Sequence, residues 1–313
     1  MHGARGAIAR KSDLHGLRVL LYCGQEPRWF WSQVCQWPRE GSDAQAPPGG
    51  VDGRYLVVSA GNHHSLAVRK LDSAVVCWGW NNHSQTRAAV QGRFVSVSAG
   101  GHHSLALRED GSVVGWGRND AGQAPWEVRS ECPFVSVSAG SRHSVALRAD
   151  GTAVCFGWNY FNQAPVRLPD WKFKAVSAGG VHTIALKADG SVACWGNNKY
   201  KQAPLGGVAG KFVAVCAGEY HSLALRADGS VKCWGKNAFG EAPPDGVEGP
   251  FVAIGAGEHF SVGMRPDGSV QFWGGDPSRE GGPRKCNGGA SPPFTVQGVH
   301  QVKATRAPPM LVR

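Results

Sequence analysis

The residues best able to do chemistry in this chain are its histidines, and five of them recur in step. His64, His103, His143, His182 and His221 follow one another at 39 or 40 residues. Imidazoles at a fixed interval suggest a ring of metal ligands, but the spacing argues against it. Metal sites draw on short local spacings such as His-x3–5-His, and this sequence has none. The sixth equivalent is Phe260, which cannot ligate. Each histidine is therefore read as a structural donor that hydrogen-bonds nearby backbone and tethers its own unit. Ser65, Ser104, Ser144 and Ser222 follow these histidines in register and read as structural rather than nucleophilic. Cys77, Cys155, Cys194 and Cys233 share the place before a repeated aromatic, where a small buried hydrophobe fits. The nine cysteines include no Cys-x-x-Cys, so neither a disulfide framework nor a zinc knuckle is indicated. No Gly-x4-Gly-Lys-Ser/Thr phosphate loop occurs. The expectation is a non-enzyme with no catalytic residue, no metal and no cofactor.

The elements that hold these residues come from an internal repeat. An Ala-Gly pair returns at Ala60, Ala99, Ala139, Ala178, Ala217 and Ala256, at steps of 39, 40, 39, 39 and 39 residues. An aromatic-Gly pair follows at Trp78, Trp116, Phe156, Trp195, Trp234 and Trp273. A period near 40 marks a repeat architecture. One unit predicts three short strands, over Phe94–Ala99, Ser104–Arg108 and Ser112–Trp116. Val95 and Val97 alternate with Ser96 and Ser98, the period of a strand. Asp110-Gly111, repeated at Asp150, Asp189, Asp228 and Asp267, predicts a type I′ hairpin. Such a small sheet cannot bury both faces alone. Stacking its neighbours radially gives a β-propeller, with the repeated aromatic as the plug between units.

The motifs Ala-Gly-x-x-His-Ser-Leu-Ala-Leu, Asp-Gly-Ser-Val and Trp-Gly-x-Asn-x-x-Gly-Gln stand together at 99–125 as AGGHHSLALREDGSVVGWGRNDAGQAP. This pattern resembles the regulator-of-chromosome-condensation repeat family. The resemblance covers residues 54 to 275 and implies an all-β, seven-bladed β-propeller. Its blades would be short, of three to four antiparallel strands, similar to those of the bacterial β-lactamase inhibitor protein II. The ring would be closed by the N- and C-terminal segments. Residues 1–13 read as a disordered leader, 14–304 as the propeller and 305–313 as a tail. Residues 14–53 resemble a worn repeat, and Phe294 to Val302 resembles a first strand that would pair with it.

A net charge of +10 bounds the partners. One basic residue per unit, at Arg69, Arg108, Arg148, Lys187, Arg226 and Arg265, reads as scaffold beside the hairpin Asp rather than as a nucleic-acid stripe. Nucleic acid is not expected as a specific ligand. No apolar run is long enough to span a membrane. A cytoplasmic or nuclear location is the expectation, with an organellar transit peptide as the weaker alternative.

The residues the repeat does not fix carry the functional expectation. Strand direction alternates, so the loops after the first and third strands share one face, and the Asp-Gly hairpins lie on the other. The shared face would gather Trp80, Arg118, Arg142, Trp158, Tyr160, Phe161, Tyr200, Tyr220 and Phe239 as partner-binding residues. Trp, Tyr and Arg dominate binding hot spots. The recurrent Asn81, Asn119, Asn159, Asn198 and Asn237 read as loop braces. The leading expectation is an interaction propeller or adaptor for a protein partner. The resemblance also implies alternatives: nucleotide exchange on a small GTPase, substrate recognition within a ubiquitin ligase assembly, or enzyme inhibition. Exchange depends on a wedge inserted from one blade, and no insertion interrupts the spacing between Ala60 and Trp273. A light-sensing role is excluded, because Gly-Ser-Arg-His at 140–143 carries no Trp.

Overall fold

The computed structural model describes residues 54–275, apart from 88, 89 and 91. Eighteen strands form six three-stranded antiparallel sheets in strict chain order. The first blade holds β1 (Tyr55–Ala60), β2 (His64–Arg69) and β3 (Val75–Gly79), and the second β4 (Phe94–Ala99), β5 (His103–Arg108) and β6 (Val113–Gly117). The third holds β7 (Phe134–Ala139), β8 (His143–Arg148) and β9 (Ala153–Gly157), and the fourth β10 (Phe173–Ala178), β11 (His182–Lys187) and β12 (Val192–Gly196). The fifth holds β13 (Phe212–Ala217), β14 (His221–Arg226) and β15 (Val231–Gly235), and the sixth β16 (Ala253–Ala256), β17 (Phe260–Met264) and β18 (Val270–Gly274). The fold is the all-β propeller that the repeat predicts. The expected leader, worn repeat, closing strand and tail lie outside the described residues.

The core is divided among the blade interfaces. Leu66 and Val68 of the first blade pack with Phe94, Val97, Val114 and Trp116 of the second. Trp195 packs on Val145 and Leu147 of the blade before it, and Trp234 on Ile184 and Leu186. The repeated aromatic is thus a plug between blades. Its indole also bonds backward, with Trp116 Nε1 donating to the Gln85 carbonyl at 2.8 Å and Trp234 Nε1 to that of Gln202 at 2.9 Å.

The histidines do not act as the sequence suggests. Their Nε2 atoms bond hydroxyls of the next blade, and so tie two blades instead of one. His64 Nε2 lies 2.9 Å from Ser104 Oγ, His103 Nε2 2.8 Å from Ser144 Oγ, and His143 Nε2 2.9 Å from Thr183 Oγ1. His182 and His221 continue the series onto Ser222 and Ser261. Each hydroxyl gives its one proton to a carbonyl of the blade before it, as Ser104 Oγ does to Gln85 at 2.8 Å. The hydroxyl must then accept from the imidazole, so Nε2 carries a proton. The Ala-Gly pair serves the same joint. A Cβ on Gly100 would lie 2.5 Å from His103 Cε1 and 2.6 Å from the Gly140 carbonyl, so only glycine lets the ring and the next blade close in.

The hairpins also differ from expectation. Only Gly111 of the Asp-Gly pair has positive φ, at 80°. Gly111 N donates to the Arg108 carbonyl at 3.0 Å, and Arg108 N to that of Ser112 at 2.9 Å. This is a type I turn followed by a left-handed glycine, not a type I′ turn. Asp110 stays right-handed because its carboxylate accepts from Ser112 N and Oγ, at 2.8 and 2.6 Å. The basic residue beside it is scaffold, as expected: Arg108, Arg148 and Arg226 lie over Phe94, Phe134 and Phe212 at 5.9, 5.5 and 5.7 Å.

Two predictions follow from these joints. Trp195→Ala removes an interblade ring and its bond to the Gln163 carbonyl, and should destabilise the fold by about 3 kcal/mol in denaturant melts. A loss no larger than that of an exposed substitution would refute the plug. Burial holds the pKa of His64 and His221 down to about 3. The unfolded chain takes up those protons near 6.5, so stability falls as pH drops from about 6.5 toward 3, by roughly 1.4 kcal/mol per pH unit per histidine. His221→Phe, the residue that Phe260 already places in this slot, should flatten that slope by one proton. An unchanged slope between pH 7 and pH 4 would remove His221 as its source.

Candidate functional site

The two loop sets meet at one end of the blades. Trp80 N donates to the His63 carbonyl, Arg118 N to His102, Trp158 N to Arg142 and Lys236 N to Tyr220, each at 2.9 Å. Each third-strand loop is braced from inside. Asn119 Oδ1 accepts from Ala124 N at 2.8 Å and Gln123 Oε1 from Ala121 N at 2.9 Å. Asn159 and Asn198 brace Ala164 and Ala203 in the same way, which makes the recurrent Asn a loop brace as the sequence suggests. The loop also needs one left-handed residue. Gly122 and Gly240 supply it with φ of 78° and 83°, whereas Ser84, Asn162 and Lys201 adopt it at 60°, 63° and 63°.

On this frame the variable side chains form three clusters. On the first two blades, Trp80 contacts His63 and His83 at 5.4 Å and His102 at 5.0 Å between ring centroids. Burial, then the neighbouring His63, His83 and Arg118, hold His102 down to about 4. On the third blade, Trp158 stacks on Tyr160 at 6.0 Å and meets Phe161 edge-on at 5.4 Å. Arg142 lies 5.2 Å over Trp158. Tyr160 is 79% exposed and Phe161 36%. Arg118 and Arg142 share the Asp120 carboxylate, at 2.7 and 3.1 Å. The Arg118 bond, then the Gln123 amide, hold Asp120 below the usual carboxylate range. On the fourth to sixth blades, Lys236 Nζ sits 5.9, 5.6 and 5.4 Å from the rings of Tyr200, Tyr220 and Phe239. Tyr200 and Tyr220 meet edge-on at 5.7 Å, and Phe239 meets His259 at 5.0 Å. Burial, then Glu219 and Glu258, raise the Tyr220 hydroxyl.

All nine expected residues thus lie at the loop end, but in three groups rather than one patch. The partner-binding residues expected from the sequence do not include His63, His83 and His102 around Trp80, nor Lys236. The doublets His63-His64 and His102-His103 carry the signal, since adjacent strand residues point opposite ways. One histidine of each doublet joins the blades, and the other reaches the loop face. The Glu219 carboxylate is not among the expected residues either. It crosses two blades to accept from Ser141 Oγ at 3.0 and 3.1 Å. Among the described residues, no three His, Cys, Asp or Glu side chains could hold a metal ion. Burial pushes the Cys77, Cys155, Cys194 and Cys233 thiols up to about 12, as inert packing residues require.

The model of the regulator of chromosome condensation repeat matches at residues 57–85, 94–123, 134–163, 173–202 and 212–241. The chain belongs to that repeat family. No curated protein sequence matches it. Among solved structures, the chain is similar to the ectodomain of the receptor kinase CR4 from Physcomitrella patens. That match has 26% identity and a TM-score of 0.61, and covers 75% of this chain and 65% of that one. The ectodomain of ACR4 from Arabidopsis thaliana gives 24% identity and a TM-score of 0.59, covering 74% and 81%. Prp20p from Saccharomyces cerevisiae gives 19% and 0.61, covering 84% and 82%. At 24% and 19% identity the likeness is one of fold alone.

The fifth repeat departs from its siblings at a buried brace. Glu241 stands where four others carry Gln, is fully buried, and accepts from Phe239 N through Oε2 at 2.7 Å. A buried carboxylate is costlier than an amide in the same place. Glu241→Gln should therefore stabilise the fold by about 1 kcal/mol in urea titration at neutral pH. A destabilised variant would show that this carboxylate is better satisfied than its amide counterparts.

Proposed function

We propose that this propeller is a non-catalytic interaction module that docks a protein partner on its loop face. The observation that carries the reading is the third-blade cluster. Trp158, Tyr160 and Phe161 stand on a loop whose backbone is braced by Asn159 and Gln163, so Tyr160 projects into solvent without need of its own packing. Rigid amphipathic rings give contact area at low entropy cost. Trp80 and the Tyr200–Tyr220 pair extend the surface on either side.

Nucleotide exchange on a small GTPase is the second reading. Prp20p, similar in fold, was described together with its binding to Gsp1p and histones. The 39- and 40-residue spacing is uninterrupted between Ala60 and Trp273, with no wedge inserted there, which ranks exchange below plain docking. A role inside a ubiquitin ligase assembly would use the same face and a separate catalytic subunit.

The reading is tested by capture of the natural partner with Trp158→Ala and Tyr160→Ala together, beside a control pair, Asp150→Ala and Thr152→Ala, on the hairpin face. With folding intact, the loop pair should lose the partner and the control pair should keep it. The reverse outcome would assign the wrong face.

A further inference from the structure

We infer that the sector of the loop face around Lys199, Lys201, Lys236, Tyr200 and Tyr220 docks an acidic protein segment, rich in Asp and Glu. The inference rests on the loop-face reading and adds the partner's chemistry.

Charge is the first argument. Arg118 and Arg142 already meet a carboxylate, that of Asp120. Among the described residues, Lys199, Lys201 and Lys236 have no carboxylate partner at ion-pair distance. Glu219 and Glu258, which act on the Tyr220 hydroxyl, turn their carboxylates to Ser141 and to His259 at 3.1 Å rather than to these lysines. Three ammonium groups without an ion pair therefore share one sector. Two are exposed, and the third is held among three rings.

Backbone conformation is the second and independent argument. The third-strand loop requires a left-handed residue, which other blades supply as Gly122, Gly240, Asn162 or Ser84. Here it is Lys201, with φ of 63°. Residues other than Gly, Asn and Asp are disfavoured in that conformation. Strain kept at an exposed loop tip points to a use for the side chain, and what lysine adds over glycine is a positive charge beside Tyr200.

The rings favour a protein segment over nucleic acid. Nucleobases need open aromatic faces on which to stack. Tyr200 and Tyr220 stand edge to face and are capped by Lys199 and Lys236. What remains accessible is an ammonium rim over apolar ring edges, which suits carboxylates on a flexible chain.

The test is fluorescence anisotropy of a labelled oligoglutamate peptide against the whole chain. The wild type should bind, and binding should weaken with added salt. Lys199→Glu with Lys201→Glu should weaken it at least about tenfold. Lys172→Glu with Lys174→Glu, the same charge change on the hairpin face, should alter it less than about twofold. Lys201→Gly is the decisive single variant, because it should raise the melting temperature and yet weaken binding. No binding by the wild type, equal loss in both double variants, tighter binding of a single-stranded oligonucleotide, or a Lys201→Gly protein that binds as before would each overturn the inference. Any of these, with partner capture still lost in the Trp158 and Tyr160 double variant, would leave the loop-face reading standing.

Discussion

The molecule depends on one buried joint, repeated between blades. An imidazole gives its Nε2 proton to a hydroxyl of the next blade, and that hydroxyl gives its own proton to a glutamine carbonyl of the blade before. The joint is possible only because all three groups are fully buried and each finds a partner. It also explains three markers at once. The Gly of Ala-Gly clears the ring, the His donates, and the Ser or Thr relays. Remove the hydroxyl and the buried Nε2–H is left without this acceptor, which costs more than the net worth of the bond itself. Hydrophobic burial holds each interface together, as Phe94 and Trp116 do between the first two blades. The relay sets the register at which the blades meet, because a donor and an acceptor in fixed places tolerate no slip.

A frame secured in this way leaves its loop tips unconstrained. The third-strand loops are closed by Asn and Gln side chains folding onto their own backbone, as Asn198 and Gln202 do. Apart from the one left-handed position, the tip residues between them bear no structural duty. That is why the same loop can carry Trp-Asn-Tyr-Phe at 158–161 and Asn-Lys-Tyr-Lys at 198–201 on one backbone path. Aromatic contact and positive charge can be distributed blade by blade without disturbing the core. The division also separates the two effects of acid. Acid acts on the relay through His64 and His221, which are buried, and on the face through His102, which is half-buried beside Arg118.

The sequence made the repeat, the three-strand unit and the sharing of one face by two loop sets legible, because each is a matter of local order. Val95 and Val97 alternate within one strand, and Asp110-Gly111 must turn within four residues. The turn type was not legible, since Asp-Gly suits a type I′ turn and a left-handed glycine after a type I turn equally well. Only the bond from Ser112 N to the Asp110 carboxylate decides it. The partners of the histidines were hidden for a different reason. His103 and Ser144 are 41 residues apart, and nothing in either unit states the offset between neighbouring blades. The same gap hid the clusters at the site. His63 and His102 stack at 5.5 Å from adjacent blades, and Lys236 reaches back to Tyr200 on the blade before it.

The relay also has a direction, and its last described member shows what that direction requires. Each His points to the hydroxyl of the following blade, so a His at the sixth position would need a hydroxyl beyond it. The residue there is Phe260, whose ring stands where the imidazoles stand. A Cβ on Gly257 would lie 2.6 Å from Phe260 Cζ, as one on Gly218 would from His221 Nδ1. Shape is therefore conserved across the slot while the donor is withdrawn. A buried imidazole without an acceptor would cost about 1–3 kcal/mol, and a phenyl ring of similar outline avoids that cost.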